Sequence, residues 1–304
     1  MKPSKVVIWL SLLIALLAAV AAGTGLFWQD GGSPFSFTTV RGDTVQMYGQ
    51  GLYRYDTLFI GAGTKGVDAV ILFLAIPLIV VTILFYRRGS LRAGLLLLGT
   101  LAYFLYVYAS MALGAAYNNL FLVYVVLFSA SLFAFVLVFA SIDRQALPAH
   151  FSPQLPRRGP ALFMFAGGLV TLVVWGEPLV AALLQNRPPE RMDSYTTMVT
   201  YALDLAIITP ATILSGVLIL RRNPLGYLIA FPLLVVVVLL GPQIAVSTTF
   251  QVSAGVSFPP AQIVGPIAGF AVLGLLAIWI LVALLRNIAD SAQQKRSTAG
   301  RRKR

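Results

Sequence analysis

Residues 59–70 read FIGAGTKGVDAV, and the architecture turns on whether this stretch opens a nucleotide-binding fold or leads into a membrane helix. Gly61, Gly63 and Gly66 have the G-x-G-x-x-G spacing with which dinucleotide-binding folds hold a pyrophosphate. That turn needs a buried strand before it, a helix packed on a sheet after it, and an acidic residue about 20 positions on. In this chain the glycines lead directly into the apolar run Val67–Tyr86, closed by Arg87-Arg88. The match is therefore one of spacing alone. A P-loop is excluded too, because Thr64-Lys65 inverts the required Lys-Ser/Thr order. The stretch reads as a glycine-rich re-entry loop turning into the bilayer, with Asp68 in the first turn of the next helix.

Outward from this point the chain is lipid-like. Of its 304 residues 59% are hydrophobic and 11% charged, against about 25% charged in a soluble domain. Apolar runs long enough to cross a hydrocarbon core of about 30 Å recur at 6–27, 67–86, 91–114, 120–142, 161–184, 198–220, 225–247 and 266–286. The expected fold is an all-α polytopic integral membrane protein with eight transmembrane helices. Its parts are a first span or signal anchor (1–27), an extracytoplasmic loop (28–66), spans two to four (67–142), a cytoplasmic loop (143–160), spans five to eight (161–286) and a basic tail (287–304). Lys2, Lys5 and the Ala19-Val20-Ala21 triplet also fit a cleavable signal, but the apolar run continues to Phe27, which favours a retained anchor.

Charge sets the orientation. With the N-terminus inside, 17 of the 22 basic residues are cytoplasmic, leaving Arg41, Arg54, Lys65, Arg187 and Arg191 outside. This positive-inside bias puts both termini in the cytoplasm of a cell membrane. The tail SAQQKRSTAGRRKR, with Lys295, Arg296, Arg301, Arg302, Lys303 and Arg304, is read as an anchor to anionic lipid headgroups. No aromatic residues are interleaved there to stack bases, so nucleic acid is not expected as a partner. Cysteine is absent and His150 is the only histidine, which removes thiol chemistry, thiolate clusters and imidazole metal sites in the bundle. No cofactor or metal is expected.

In the long outer segment, Phe35–Val40 and Thr44–Tyr48 alternate around Arg41-Gly42-Asp43 and read as a small β-hairpin. The two halves of the chain also echo each other. Arg54-Tyr55-Asp56-Thr57, Asp68, Pro77 and Arg87-Arg88 recur in order as Arg191-Met192-Asp193-Ser194, Asp204, Pro210 and Arg221-Arg222. This suggests a tandem 4+4 parallel repeat about an axis along the membrane normal.

Charge inside hydrocarbon costs at least about 2.5–3.5 kcal/mol at the centre, so an acid found there usually has a partner or a task. Asp68, Glu177 and Asp204 lie in the outer thirds of their spans, and Arg54 and Arg191 come from the outer loops. Tyr103 and Tyr106 share one helix face. Asp68, Asp204, Glu177, Tyr103, Arg54 and Arg191 are thus the candidate substrate- or ion-binding residues. The bland readings are helix capping for Asp68, reach to water for Glu177, loop ion pairs for Arg54–Asp56 and Arg191–Asp193, and an interfacial belt for the tyrosines. No catalytic constellation is present. A transporter or small-ligand binding protein is the leading expectation. The alternatives are an enzyme acting on a lipid-linked substrate at the outer leaflet and a non-catalytic assembly protein.

Overall fold

The computed structural model describes residues 2–289, so the basic tail from Lys295 onward, with its expected lipid contact, lies outside the described residues. Eight helices are long and apolar enough to cross a membrane. They are α1 (Lys5–Phe27), α2 (Leu58–Tyr86), α3 (Leu91–Gly114), α4 (Phe121–Ser141), α5 (Arg158–Leu184), α6 (Val199–Leu220), α7 (Pro224–Ser253) and α8 (Pro260–Arg286). Four of them start where a short polar side chain takes up an otherwise unpaired N–H: Ser4 for Val7, Thr57 for Ile60, Ser90 for Ala93 and Asn223 for Leu225. Large apolar side chains such as Trp9, Phe73, Leu122, Leu162, Leu275 and Trp279 face outward, as lipid contact requires.

The core is built around α3, which packs against α2, α4, α6 and α7. Gly99 of α3 meets the Val235 side chain of α7, bringing the two backbones close. α1 packs on α2 and α4, α5 on α6, and α8 on α7. The start of α1, the α2–α3 turn, the α4–α5 loop and the end of α8 share one face, here the termini face. Tyr86 Oη there accepts a bond from the Ser4 amide (3.1 Å), Arg92 Nε donates to the Ile288 carbonyl (2.7 Å), and the Ser152 amide donates to the Asn287 carbonyl (2.8 Å).

The opposite face carries the hairpin. β1 (Phe35–Thr38) and β2 (Thr44–Met47) pair antiparallel, Phe35 opposite Met47 and Thr38 opposite Thr44. Arg41-Gly42-Asp43 is their turn, with Gly42 at a φ of +89° that a side chain would resist.

The opening stretch differs from its expected form. Residues 59–70 are not a re-entry loop: Thr57 caps a helix that starts at Leu58 and runs through all three glycines. Their lack of side chains serves packing. Gly61 lies against Tyr48, Gly63 against Gln251, and Gly66 against the Ser247 backbone of α7. Ser247 Oγ donates to the Gly63 carbonyl (2.8 Å) and Gln251 Nε2 to the Phe59 carbonyl (3.0 Å), which fastens α2 to α7. Asp68 consequently lies about 15 Å along α2 from its hairpin-face end, well beyond the first turn.

Both α2 and α6 contain a widened π turn, Ile71–Ala75 and Asp204–Ile208, with a proline two residues beyond it, Pro77 and Pro210. Proline lacks an N–H and its ring crowds the carbonyl four residues back. A local π turn relieves that crowding while the helix continues.

Candidate functional site

Asp68 is 2% exposed and accepts a 2.6 Å hydrogen bond from the Tyr53 hydroxyl. Tyr53 belongs to the tight turn Gly51–Tyr53 before α2, and Gly51 takes the positive φ (+58°) that turns the chain inward. Gly25 of α1 closes a third side: a Cβ there would overlap both Asp68 Oδ2 and the Tyr53 hydroxyl. Lys65, one turn earlier on α2 and 9% exposed, supplies a positive charge that acts on the carboxylate. Burial, followed by the Asp68 charge, pushes the Tyr53 phenol up, so this turn tyrosine stays a neutral donor.

Three more buried tyrosines feel the Asp68 charge: Tyr103 and Tyr108 from α3 and Tyr124 from α4. Tyr103 donates to Gln243 Oε1 of α7 at 2.6 Å. The Tyr108 and Tyr124 rings stack at 6.2 Å. Among the described residues the Tyr108 hydroxyl has no hydrogen-bond partner, whereas the Tyr124 hydroxyl faces Tyr53 and Asn118. A buried polar group left unpaired costs about 1–3 kcal/mol. Such a hydroxyl, close enough to Asp68 to feel its charge, marks a polar demand inside the bundle.

Asp204 is 7% exposed and opens the π turn of α6. Its polar neighbours are Tyr106 of α3 and Trp175 of α5. Trp175 is held by the Tyr201 ring, one turn before Asp204, at a centroid distance of 4.4 Å. The groups acting on Asp68 (Tyr53, Lys65) and those acting on Asp204 (Tyr106, Trp175) have no member in common. α3 contributes to both surroundings, Tyr103 to that of Asp68 and Tyr106 to that of Asp204.

Above this core the hairpin-face loops are stitched together by Asp56, which is 1% exposed. Its Oδ1 accepts from the Ala116 amide (2.9 Å) in the α3–α4 turn and from the Tyr195 hydroxyl (2.7 Å) in the α5–α6 loop. Burial pushes its carboxyl up to about 6, against the opposing pull of those two donors. Arg41 at the hairpin turn donates to the Asp193 and Tyr195 carbonyls. Between hairpin, α3 end and this loop lies a cavity of about 620 Å³, lined by Phe35, Phe37, Tyr55, Leu113, Tyr195 and Thr197 among others.

Of the candidate residues read from sequence, the structure brings Asp68 and Tyr103 into one cluster. It gives Asp204 other partners, Tyr106 and Trp175, and leaves Glu177 exposed on α5. Arg54 pairs with Asp30 at 3.3 Å, not with Asp56. The Arg191 guanidinium lies over the Phe59 ring at 4.8 Å and acts on Asp193. Sequence reading placed Tyr106 on the Tyr103 face and Lys65 among the outer basic residues, but did not single out Tyr53, Gln243 or Trp175. For Lys65 the i, i+3 spacing to Asp68 within a helix is the signal that ties it to that acid. Among the described residues no three His, Asp or Glu side chains are grouped to hold a metal. Carboxylate, ammonium and phenol groups can bind a polar guest or exchange a proton.

Comparison with protein-family models, with curated proteins and with solved structures finds no match.

Proposed function

We propose that the chain is a membrane transporter or binding protein for a small polar molecule or ion, reached from the hairpin face. The observation that carries this reading is the Asp68 centre. It is a carboxylate within a candidate span, flanked by Lys65 and by four tyrosines, among which the buried Tyr108 hydroxyl lacks a partner. An ionisable group at such depth is disfavoured unless it has a task, and an orphaned hydroxyl calls for a guest. The cavity beneath the hairpin is the vestibule, and Tyr103 and Tyr106 couple Asp68 to Asp204 across α3. The positive-inside charge distribution supports a hairpin face outside the cell membrane and termini in the cytoplasm.

A tandem repeat of four-helix units belongs to the same proposal. Matching Pro77 with Pro210 sets the two π turns in register, pairs Arg88 with Arg221, and aligns the caps Ser90 and Asn223. In that register Asp204 stands opposite Ile71 and Asp68 opposite Tyr201, so the two acids are one helical turn out of step. This suits two halves that diverged to do different work on one pathway. π turns recur at functional sites, and here each adjoins an acid.

The test is uptake by proteoliposomes bathed in a small-molecule cell extract, read by mass spectrometry. Species should accumulate with the wild-type protein and not with Asp68→Asn/Asp204→Asn. The proposal fails if nothing accumulates, or if the double variant accumulates the same species. An assembly role draws on the loop-locking contacts of Arg41 and Asp56 and predicts the first of those failures.

A further inference from the structure

A second cavity, of about 220 Å³, opens on the termini face, where the α4–α5 loop crosses the start of α7. Its floor is apolar, with Phe151, Leu155 and Tyr227, and its mouth carries Ser152, Arg157 and Arg222. Tyr227 fixes the loop over this floor by donating to the Pro156 carbonyl (3.0 Å) and by packing edge-on against Phe151 at 5.3 Å. Arg222 is placed by a helix stop. It takes a left-handed φ of +59°, while the Arg222 and Asn223 amides close back on the Ile219 and Leu218 carbonyls.

Neither guanidinium has an acidic partner among the described residues. Asp143, the one acid of the α4–α5 loop, is occupied in capping the Gln145 and Ala146 amides. Arg157 also occupies the N-cap of α5 without a capping side-chain bond, so the first-turn N–H groups beside it add to the positive field. Two arginines over an apolar floor, with the Ser152 hydroxyl turned to Gln154 Oε1, match a tetrahedral oxyanion whose other end is greasy or small. The volume is below the roughly 300 Å³ at which pockets for drug-sized ligands begin, which suits a single phosphate group with the rest of its carrier outside.

We infer that this pocket binds a phosphate group, carried by an anionic phospholipid headgroup at the membrane surface or by free phosphate. Basic pockets between membrane helices on the positively charged side take up such headgroups. The site is separate from the Asp68 centre and does not rest on the transport reading.

The experiment is native mass spectrometry of protein released from nanodiscs that contain phosphatidylglycerol in phosphatidylcholine, in parallel with thermal shift in detergent on titration with inorganic phosphate. Wild-type protein retains one phosphatidylglycerol, or is stabilised by phosphate if the free anion is the ligand, and Arg157→Gln/Arg222→Gln loses that response. Both arginines are exposed, so the double variant folds, and its unchanged melting temperature without ligand checks this. Arg87→Gln/Arg88→Gln, on the same face but outside the pocket, keeps the wild-type response. The inference is overturned if wild type responds in neither arm. It is overturned equally if the pocket variant responds like wild type, or if the Arg87/Arg88 variant loses as much, since diffuse basic charge would then account for the binding.

Discussion

Changing pH should loosen the hairpin-face loops in a direction opposite to the usual carboxylate. Asp56 holds three segments through the Ala116 amide and the Tyr195 hydroxyl, and burial raises its carboxyl from the ordinary 3.8 to about 6. A raised acid favours the closed loops most below the open-state value and loses that contribution as pH rises through the closed-state value. Each pH unit between the two is worth about 1.4 kcal/mol, so complete ionisation weakens the closed arrangement by about 3 kcal/mol. Between about pH 5 and about pH 7.5 the change is about 1.4 kcal/mol, roughly a tenfold rise in the opening constant. Hydrogen exchange read by mass spectrometry, corrected for the intrinsic rate at each pH, reports this in the peptides covering 44–57, 114–118 and 193–197. Asp193, also raised chiefly by burial, acts in the same direction. The decisive comparison is therefore Asp56→Asn, which keeps an acceptor oxygen and removes the titration, and should flatten most of the pH dependence. Wild-type loops that tighten as pH rises, or an Asp56→Asn variant with the full wild-type dependence, would be incompatible with this mechanism.

Gly25→Ala sets a methyl group onto Asp68 and the Tyr53 hydroxyl, an overpacking worth about 1–3 kcal/mol. Gly23→Ala on the same helix meets nothing within 4 Å and should be neutral to within about 0.5 kcal/mol. Melting in detergent separates the two, and equal effects would contradict the packing described. Gly66→Val drives a side chain into the Ser247 backbone and should part α2 from α7. The 2.8 Å Ser247–Gly63 bond would be lost, with a lowered melting temperature and faster exchange in both helices. Arg41→Ala removes the donor to the Asp193 and Tyr195 carbonyls. Proteolysis within residues 187–198 should quicken while the melting temperature of the bundle holds. An unchanged cleavage rate would show that the hairpin does not restrain this loop.

The eight spans were legible because lipid imposes a length and a composition that a sequence cannot conceal. The hairpin was legible because alternation flanks the turn at Arg41-Gly42-Asp43. The start of α2 was not. Gly61, Gly63 and Gly66 look like a turn when only backbone freedom is weighed. Their role as contact points for Tyr48, Gln251 and Ser247 depends on residues far along the chain. For the same reason Asp68 and Asp204 stood out as charges in apolar runs, whereas their partners Tyr53 and Trp175 did not. Tyr53 reaches Asp68 only because Gly51 turns the chain inward, and Trp175 reaches Asp204 only because α5 packs on α6. Both π turns arise at prolines visible in the sequence, but a proline alone does not say whether a helix will kink, break or widen.

The proposed function stands or falls on Asp68 anchoring a polar centre that takes a guest. The sharpest check is a density map of the protein in lipid nanodiscs, at a resolution that shows ordered water and ions. Non-protein density should bridge the Asp68 carboxylate and the Tyr108 hydroxyl, and should be absent from a matching map of Asp68→Asn. Tyrosine hydroxyls paired only with protein groups, and a dry apolar contact around Asp68, would contradict it.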